Sequence, residues 1–192
     1  MIPLPSGPYD VIYADPPWSY ECKKPTIAGH PGVLLRGENS LSPEHYYKTM
    51  SADEIAWMPV KAICSKNSVC FMWATNPLLP DAFRVLAAWG FEYKTTITWY
   101  KLRCKGMGYW FRGYTEFLLL GVRGNFKAFH SRQENIVAAP VGKHSEKPIL
   151  FRKLIENETP NLKRLEMFAR RSPDELWDVW GNEAQEPEVS LF

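Results

Sequence analysis

Apolar positions along this chain come in short runs, divided by polar stretches containing Gly and Pro. Tyr9 to Ala14 has the pattern of a buried strand and runs directly into Asp15-Pro16. Residues 19–50 are rich in Gly, Pro and Ser and show no periodicity; such a segment inside a compact domain is expected to be a functional loop or lid. Ser51-Ala52-Asp53-Glu54 opens a helix that Ile55, Met58 and Ala62 continue. Ser68 to Ala74 is an apolar strand that Asn76-Pro77 breaks, and Pro80-Asp81 starts a helix that Gly90 stops. Tyr93 to Tyr100 and Thr115 to Val122 read as strands, with a basic, glycine-containing loop from Lys101 to Gly113 between them. Asn135 to Ala139 is a short extended piece. Pro148 to Asn157 is an amphipathic helix whose inner face is expected to carry Ile149, Leu150, Leu154 and Ile155. Leu162 to Ala169 and Leu176 to Trp180 are the last strands, and a polar tail follows from Glu183.

Strands alternating with helices predict an α/β layered fold with a mostly parallel sheet flanked by helices. Ligands bind such sheets at the carboxyl ends of strands, which singles out Asp15, Thr75-Asn76 and Ala169-Arg170. The 192 residues predict a single domain over 1–184 and a flexible tail over 185–192. Apolar residues, at 45%, suffice for a core. The four Cys lack C-x-x-C spacing, which argues against a disulfide framework or a zinc site and fits a reducing cytoplasm. No basic-then-apolar leader and no apolar run near 18 residues is present, so the expectation is a cytoplasmic protein without a membrane partner or a metal.

Charge sharpens the picture. Residues 94–132 hold eight Lys or Arg against Glu116 alone, a local +7 in a chain of net +2, which leaves the remainder at −5. A basic block of this kind suggests a polyanion-facing surface. Chemistry concentrates at Asp15-Pro16-Pro17-Trp18. A carboxylate, a proline carbonyl and an aromatic ring at a strand tip suit the exocyclic amino group of a flat heterocycle. The two oxygens accept its hydrogens and the ring stacks on the base, an arrangement suited to methyl transfer onto a nucleobase nitrogen.

Further segments carry a family resemblance. Asp15-Pro16-Pro17-Trp18 is followed by Tyr47-Lys48-Thr49-Met50-Ser51, Phe71-Met72-Trp73-Ala74-Thr75-Asn76 and Gly108-Tyr109-Trp110-Phe111-Arg112-Gly113. Next come His144-Ser145-Glu146-Lys147-Pro148, Leu165-Glu166-Met167-Phe168-Ala169-Arg170 and Trp177-Asp178-Val179-Trp180-Gly181-Asn182-Glu183. Any one of these is weak. Together and in this order, over residues 9–184, they resemble the MT-A70 family of N6-adenine methyltransferases. The resemblance implies a Rossmann-like class I methyltransferase sheet and S-adenosylmethionine as cofactor. It also implies a catalytic motif ahead of the cofactor strand, here Leu162 to Ala169.

By that resemblance Asp15, Pro16, Pro17 and Trp18 are the catalytic set, with Trp18 stacking on a base that is flipped out or single-stranded. Tyr47 matches a tyrosine on the substrate loop. Lys101, Arg103, Lys105, Trp110 and Arg112 are expected to bind nucleic acid, although the corresponding family loop also lies near a partner subunit, and both roles stay open. Glu116 is expected to pair with a base edge or a neighbouring Arg. Lys147 matches the lysine that meets the cofactor carboxylate. Asp15, Phe168, Arg170, Asn182 and Glu183 complete the expected cofactor contacts. Met1 to Pro8 is too short to hold the cofactor adenine as longer relatives do. The implied activity is N6-adenine methylation of DNA. N6-adenosine methylation of RNA is the first alternative, and an inactive nucleic-acid-binding scaffold the second. A homodimer or a partner subunit is compatible with the resemblance, and specificity for a short or relaxed target is expected.

Overall fold

Alternate residues of the central strands feed two separate cores. In β1 (Tyr9–Ala14), Ile12 and Ala14 join one apolar cluster while Val11 and Tyr13 join the other. In β2 (Cys64–Ala74), Cys70, Met72 and Ala74 face the first cluster, and Val69, Phe71 and Trp73 face the second. Strands buried on both faces are continuous apolar runs rather than alternating ones, as the sequence shows here. The computed structural model describes residues 2–20, 49–104, 106, 110–131, 133–142, 146–171 and 173–181.

The remaining strands are β3 (Glu92–Leu102), β4 (Thr115–Arg123), β5 (Ile136–Pro140), β6 (Arg164–Met167) and β7 (Asp178–Trp180). The sheet order is β5-β3-β4-β2-β1-β6-β7. β1 pairs in parallel with β2 and β6, β6 with β7, and β3 with β5; β4 is antiparallel to both its neighbours. All strands but β4 therefore point the same way. The expected layered, mostly parallel α/β fold forms, with the β4 reversal as its mixed element.

One face is covered by α1 (Ala52–Ala56), α2 (Val60–Ile63) and α3 (Leu79–Ala88), and the other by α4 (Ile149–Glu158). Ser51 starts α1 through a reciprocal capping box with Glu54. The helix expected to run on to Ala62 instead divides, because Pro59 has no N–H to donate. On α4 the buried residues are Phe151, Arg152 and Ile155, with Leu150 and Leu154 only partly buried. Ile149, expected on the inner face, is 55% exposed.

β6 is shorter than the predicted Leu162–Ala169. Asn161 and Phe168, with φ of 60° and 62°, flank it in left-handed backbone that a strand does not continue through. β7 starts late because the Asp174 carboxylate accepts the N–H groups of Leu176 and Trp177 and folds that segment into a turn. β2 starts early, at Cys64, where it pairs with Tyr9 before a register shift. Among the described residues, no helix is long and apolar enough to cross a membrane.

Candidate active site

The chain order places one crevice. β1 is followed by β2 on one side and β6 by β7 on the other, while β1 and β6 lie side by side with Ala14 opposite Met167. The direction of winding reverses between them, and such a switch point opens a crevice at the carboxyl ends of the strands. Asp15 follows β1 and Phe168 follows β6, so both stand at its mouth. Because β4 runs the other way, its first residues reach the same rim as the last residues of β3.

Period-two alternation then sets a row of charges beyond an aromatic core. Tyr13, Trp73, Trp99 and Leu118 are buried on the α4 face. Asp15 and Lys101 stand two residues after Tyr13 and Trp99, and Glu116 two residues before Leu118 on the antiparallel β4, so all three reach the same rim. The Lys147 ammonium, supplied from just before α4, bonds Asp15 Oδ2 at 2.7 Å and lies 3.5 Å from Glu116 Oε2. The Lys101 ammonium bonds the other oxygen of Glu116. The order Lys101, Glu116, Lys147, Asp15 alternates in sign. The first three side chains are 19%, 13% and 14% exposed, whereas Asp15 is 39% exposed and opens the row to solvent. Lys101 and Lys147 also lie over the Trp99 and Trp73 rings, at 5.1 and 5.4 Å from their centroids. Burial works against the charged form of Lys147, but Asp15 and Glu116 outweigh it and hold the ammonium above the usual lysine range.

These contacts revise several sequence expectations. Lys101 lies in β3 and not in the loop, and its ammonium pairs with Glu116. Among the described residues Glu116 pairs with two lysines and with no arginine. Lys147 meets the Asp15 carboxylate directly. Trp18 is 6% exposed, lies in the core, and donates its indole N–H to the Trp73 carbonyl at 3.1 Å. It therefore anchors the turn after β1 and is not a free stacking platform. Pro16 is buried, Pro17 is half-buried, and the Pro16 carbonyl accepts the Trp18 N–H at 2.8 Å. Met50 donates to the Pro17 carbonyl and accepts from Ser19, both at 2.8 Å, so the chain on either side of residues 21–48 is tied together. Tyr20, not singled out from the sequence, shares a 2.8 Å hydrogen bond with Thr75 beside this row. Its phenol is pushed up, first by burial and also by the nearby Glu116.

A cavity of about 520 Å³ lies against Asp15, Lys147 and the end of β6, a size ordinary for a small-molecule site. Phe168 and Arg170 line it. Phe168 holds its left-handed backbone with its ring 5.4 Å from Trp180, edge to face. The start of α4 also lines it through Pro148 and Ile149, and no side chain caps that helix end. Ile149 is exposed because it faces the cavity. Glu166, at the cavity wall, accepts from Arg171, with the Arg152 Nε at 3.6 Å from the same oxygen. Arg152 stacks on Trp177 at 4.9 Å and bonds Asp174 at 2.6 Å, yet its buried Nε has no hydrogen-bond partner. Arg152 was not anticipated, although an arginine three residues before Ile155, on an otherwise apolar stripe, was a readable signal.

Of the basic loop, Trp110 and Phe111 are 85% and 90% exposed. Arg103 and Arg112 are also exposed, with an Arg112 nitrogen donating to the Gly106 carbonyl at 3.1 Å. Large rings left in solvent beside cations suit stacking on bases or a partner surface. Tyr47, Lys105, Asn182 and Glu183 lie outside the described residues, as does the tail over 185–192.

The MT-A70 family model matches residues 9–183. A type II methyltransferase, M.MunI of Mycoplasma sp, is 30% identical over 98% of this chain and 83% of its own length. The human N(6)-adenosine-methyltransferase catalytic subunit METTL3 is 25% identical over 92% of this chain but only 28% of its own. A probable rice N(6)-adenosine-methyltransferase, MT-A70-like, is 26% identical over 85% of this chain and 21% of its own. Taken with the Rossmann-like sheet, whose rim carries Asp15-Pro16-Pro17-Trp18, these matches show that the chain belongs to the MT-A70 family of methyltransferases.

Proposed function

We propose that this protein is an S-adenosylmethionine-dependent methyltransferase that modifies the N6 amino group of adenine in DNA. The observation that carries the reading is Asp15. Its carboxylate stands at the switch point, beside a cavity of cofactor size, and is fixed by Lys147 at 2.7 Å.

The residues around the cavity suit the cofactor. Lys147 and the uncapped start of α4 would receive its carboxylate, since a helix N-terminus with unpaired N–H groups favours an anion. Phe168 would pack on its adenine, and Arg170 and Glu166, which line the same cavity, would offer partners to its polar groups. Asn182 and Glu183 are proposed for its ribose. When bound, the cofactor supplies an electrophilic methyl group carried on a sulfonium.

The protein's part is to prepare the nitrogen. Adenine's amino group is nearly planar and weakly nucleophilic. Hydrogen bonds from its two N–H groups to the Asp15 carboxylate and the Pro16 carbonyl would favour a pyramidal nitrogen and fix its line of attack, a positioning effect of several kcal/mol at most. The Pro16 oxygen already accepts the Trp18 N–H, and a carbonyl oxygen can accept a second bond. The Asp15 carboxylate, fixed by Lys147, would stabilise the positive charge that the nitrogen would take on in accepting the methyl group. The nitrogen then sheds a proton, and Asp15, with its open side toward solvent, is placed to pass it on. Trp110, Arg103, Arg112 and Tyr47 are proposed to receive the nucleic acid. With Trp18 in the core, Trp110 or Phe111 is the better ring for a displaced base.

DNA is favoured because the type II methyltransferase matches over most of both chains. RNA is the second reading, favoured by the relatives named for N(6)-adenosine. Incubation with methyl-labelled S-adenosylmethionine and adenine-containing DNA or RNA oligonucleotides separates the two. Labelled N6-methyladenine is expected in DNA. Label in RNA alone would favour the second reading, and label in neither would defeat both.

A further inference from the structure

Lys101 is linked to Asp15 only through Glu116 and Lys147, yet its ammonium is more deeply committed than a surface cation would be. It is 19% exposed, lies over Trp99, and bonds a carboxylate that is itself 13% exposed. Among the described residues, that carboxylate, Glu116, is the only acid in contact with both lysines. Lys147 must therefore divide itself between Asp15, at 2.7 Å, and Glu116, at 3.5 Å. A buried carboxylate without a counter-ion attracts the nearest cation strongly, because low-dielectric surroundings screen little. Without Lys101, two carboxylates would compete for one ammonium, and the more buried of them is Glu116. From this geometry we infer that Lys101 is a positioning residue: by neutralising Glu116 it leaves Lys147 on Asp15 and so keeps the catalytic carboxylate in place.

The inference deepens the function proposed above and rests on it for its kinetic consequence. Among the described residues, the groups facing this row are Asp15 after β1, Lys101 from β3, Glu116 from β4, Lys147 before α4, and the Tyr20 phenol with its partner Thr75. None of these besides Lys101 can neutralise Glu116 without leaving Asp15. A positioning role differs from a phosphate contact in what it does to kinetics. A phosphate contact affects binding, weakens it roughly uniformly across sequences, and lowers the salt dependence by about one counterion. A residue acting through Glu116 alters turnover, and its effect vanishes once Glu116 carries no charge.

The test is a double-mutant cycle of Lys101→Met and Glu116→Gln, with Lys101→Arg as the conservative variant, each checked for an unchanged thermal melt. Expected are a fall in kcat of about tenfold for Lys101→Met with KM for the oligonucleotide within about twofold, near-wild-type turnover for Lys101→Arg, and no further loss when Lys101→Met is added to Glu116→Gln. A raised KM with a flatter salt dependence, or additive losses in the double variant, would overturn the inference. A crystal structure of Lys101→Met decides the same point without any activity. The Lys147 ammonium is expected to have moved onto Glu116, and an unchanged Lys147–Asp15 contact would overturn the inference even if methyl transfer onto adenine had already been disproved.

Discussion

Trp18 sits in a motif that reads as a base-stacking platform, yet its neighbours make it a structural pin. Its ring is in the core and its indole N–H is spent on the Trp73 carbonyl. Trp18→Ala should therefore cost stability, about 3–5 kcal/mol for a buried Trp, measurable by urea unfolding. Lost activity with an unchanged unfolding midpoint would return the ring to base stacking. Glu116 was legible only in part. It lies two positions before Leu118, so the strand period turns it to the face of that residue, which packs with Tyr13. What the sequence did not show is which partner it takes, because that depends on strands far apart in the chain. Asp174 carries a pH signature. Burial opposes its ionisation, but the Arg152 guanidinium and the Leu176 N–H outweigh that and hold its carboxyl below the usual range. A depressed carboxyl contributes stability above its unfolded value and loses it as pH falls through the folded one. Asp174→Asn should thus lower the melting temperature near neutral pH and flatten its fall below about pH 4. An acid limb as steep as that of the wild type would contradict the pairing.

At the scale of elements, periodicity located β1, β4 and α3 to within a residue or two, because each is long, apolar and bounded by a clear breaker. It erred where a boundary depends on backbone conformation or on a cavity. β6 ends at left-handed Phe168, a conformation that a Phe does not advertise. The apolar stripe of α4 was misassigned at Ile149 because an exposed apolar residue lining a binding site looks like a core residue in a periodic pattern. The tip of β6 is further fixed by close packing: a Cβ on Gly181 would come within 2.4 Å of the Ala169 carbonyl oxygen and 2.7 Å of its nitrogen. Ala169 also donates its N–H to Trp180 at 3.0 Å. Both contacts are with backbone, which cannot rotate away. Gly181→Ala should destabilise by about 1–3 kcal/mol and weaken cofactor binding through Phe168, as read by chemical unfolding and by calorimetric titration with S-adenosylmethionine. Unchanged cofactor affinity in a destabilised Gly181→Ala variant would separate the β6 tip from the cofactor site.

For the molecule as a whole, the sheet order does what no single motif can. It brings Asp15, from near the start of the chain, beside Phe168, from near its end, because β1 and β6 are neighbours across the switch point. The α/β class was legible from alternation, and the carboxyl-end location of the site followed from that class. The reversal of β4 was not legible, since an apolar run carries no direction, and it is that reversal which delivers Glu116 to the rim that carries Asp15. A ligand bound to the folded state alone stabilises it by mass action, by about 2.7 kcal/mol at a hundredfold excess over Kd. S-adenosylmethionine should accordingly raise the melting temperature of the wild type, and less so that of Lys147→Ala; equal shifts in the two would remove Lys147 from the cofactor site. The most direct test of the whole account is methyl transfer by Asp15→Asn, which keeps the shape and one hydrogen-bond acceptor but removes the charge. The account predicts at least a hundredfold loss of labelled N6-methyladenine, a protein that still melts cooperatively, and retained cofactor binding. Wild-type turnover in that variant would show that the carboxylate at the tip of β1 does not prepare the nitrogen.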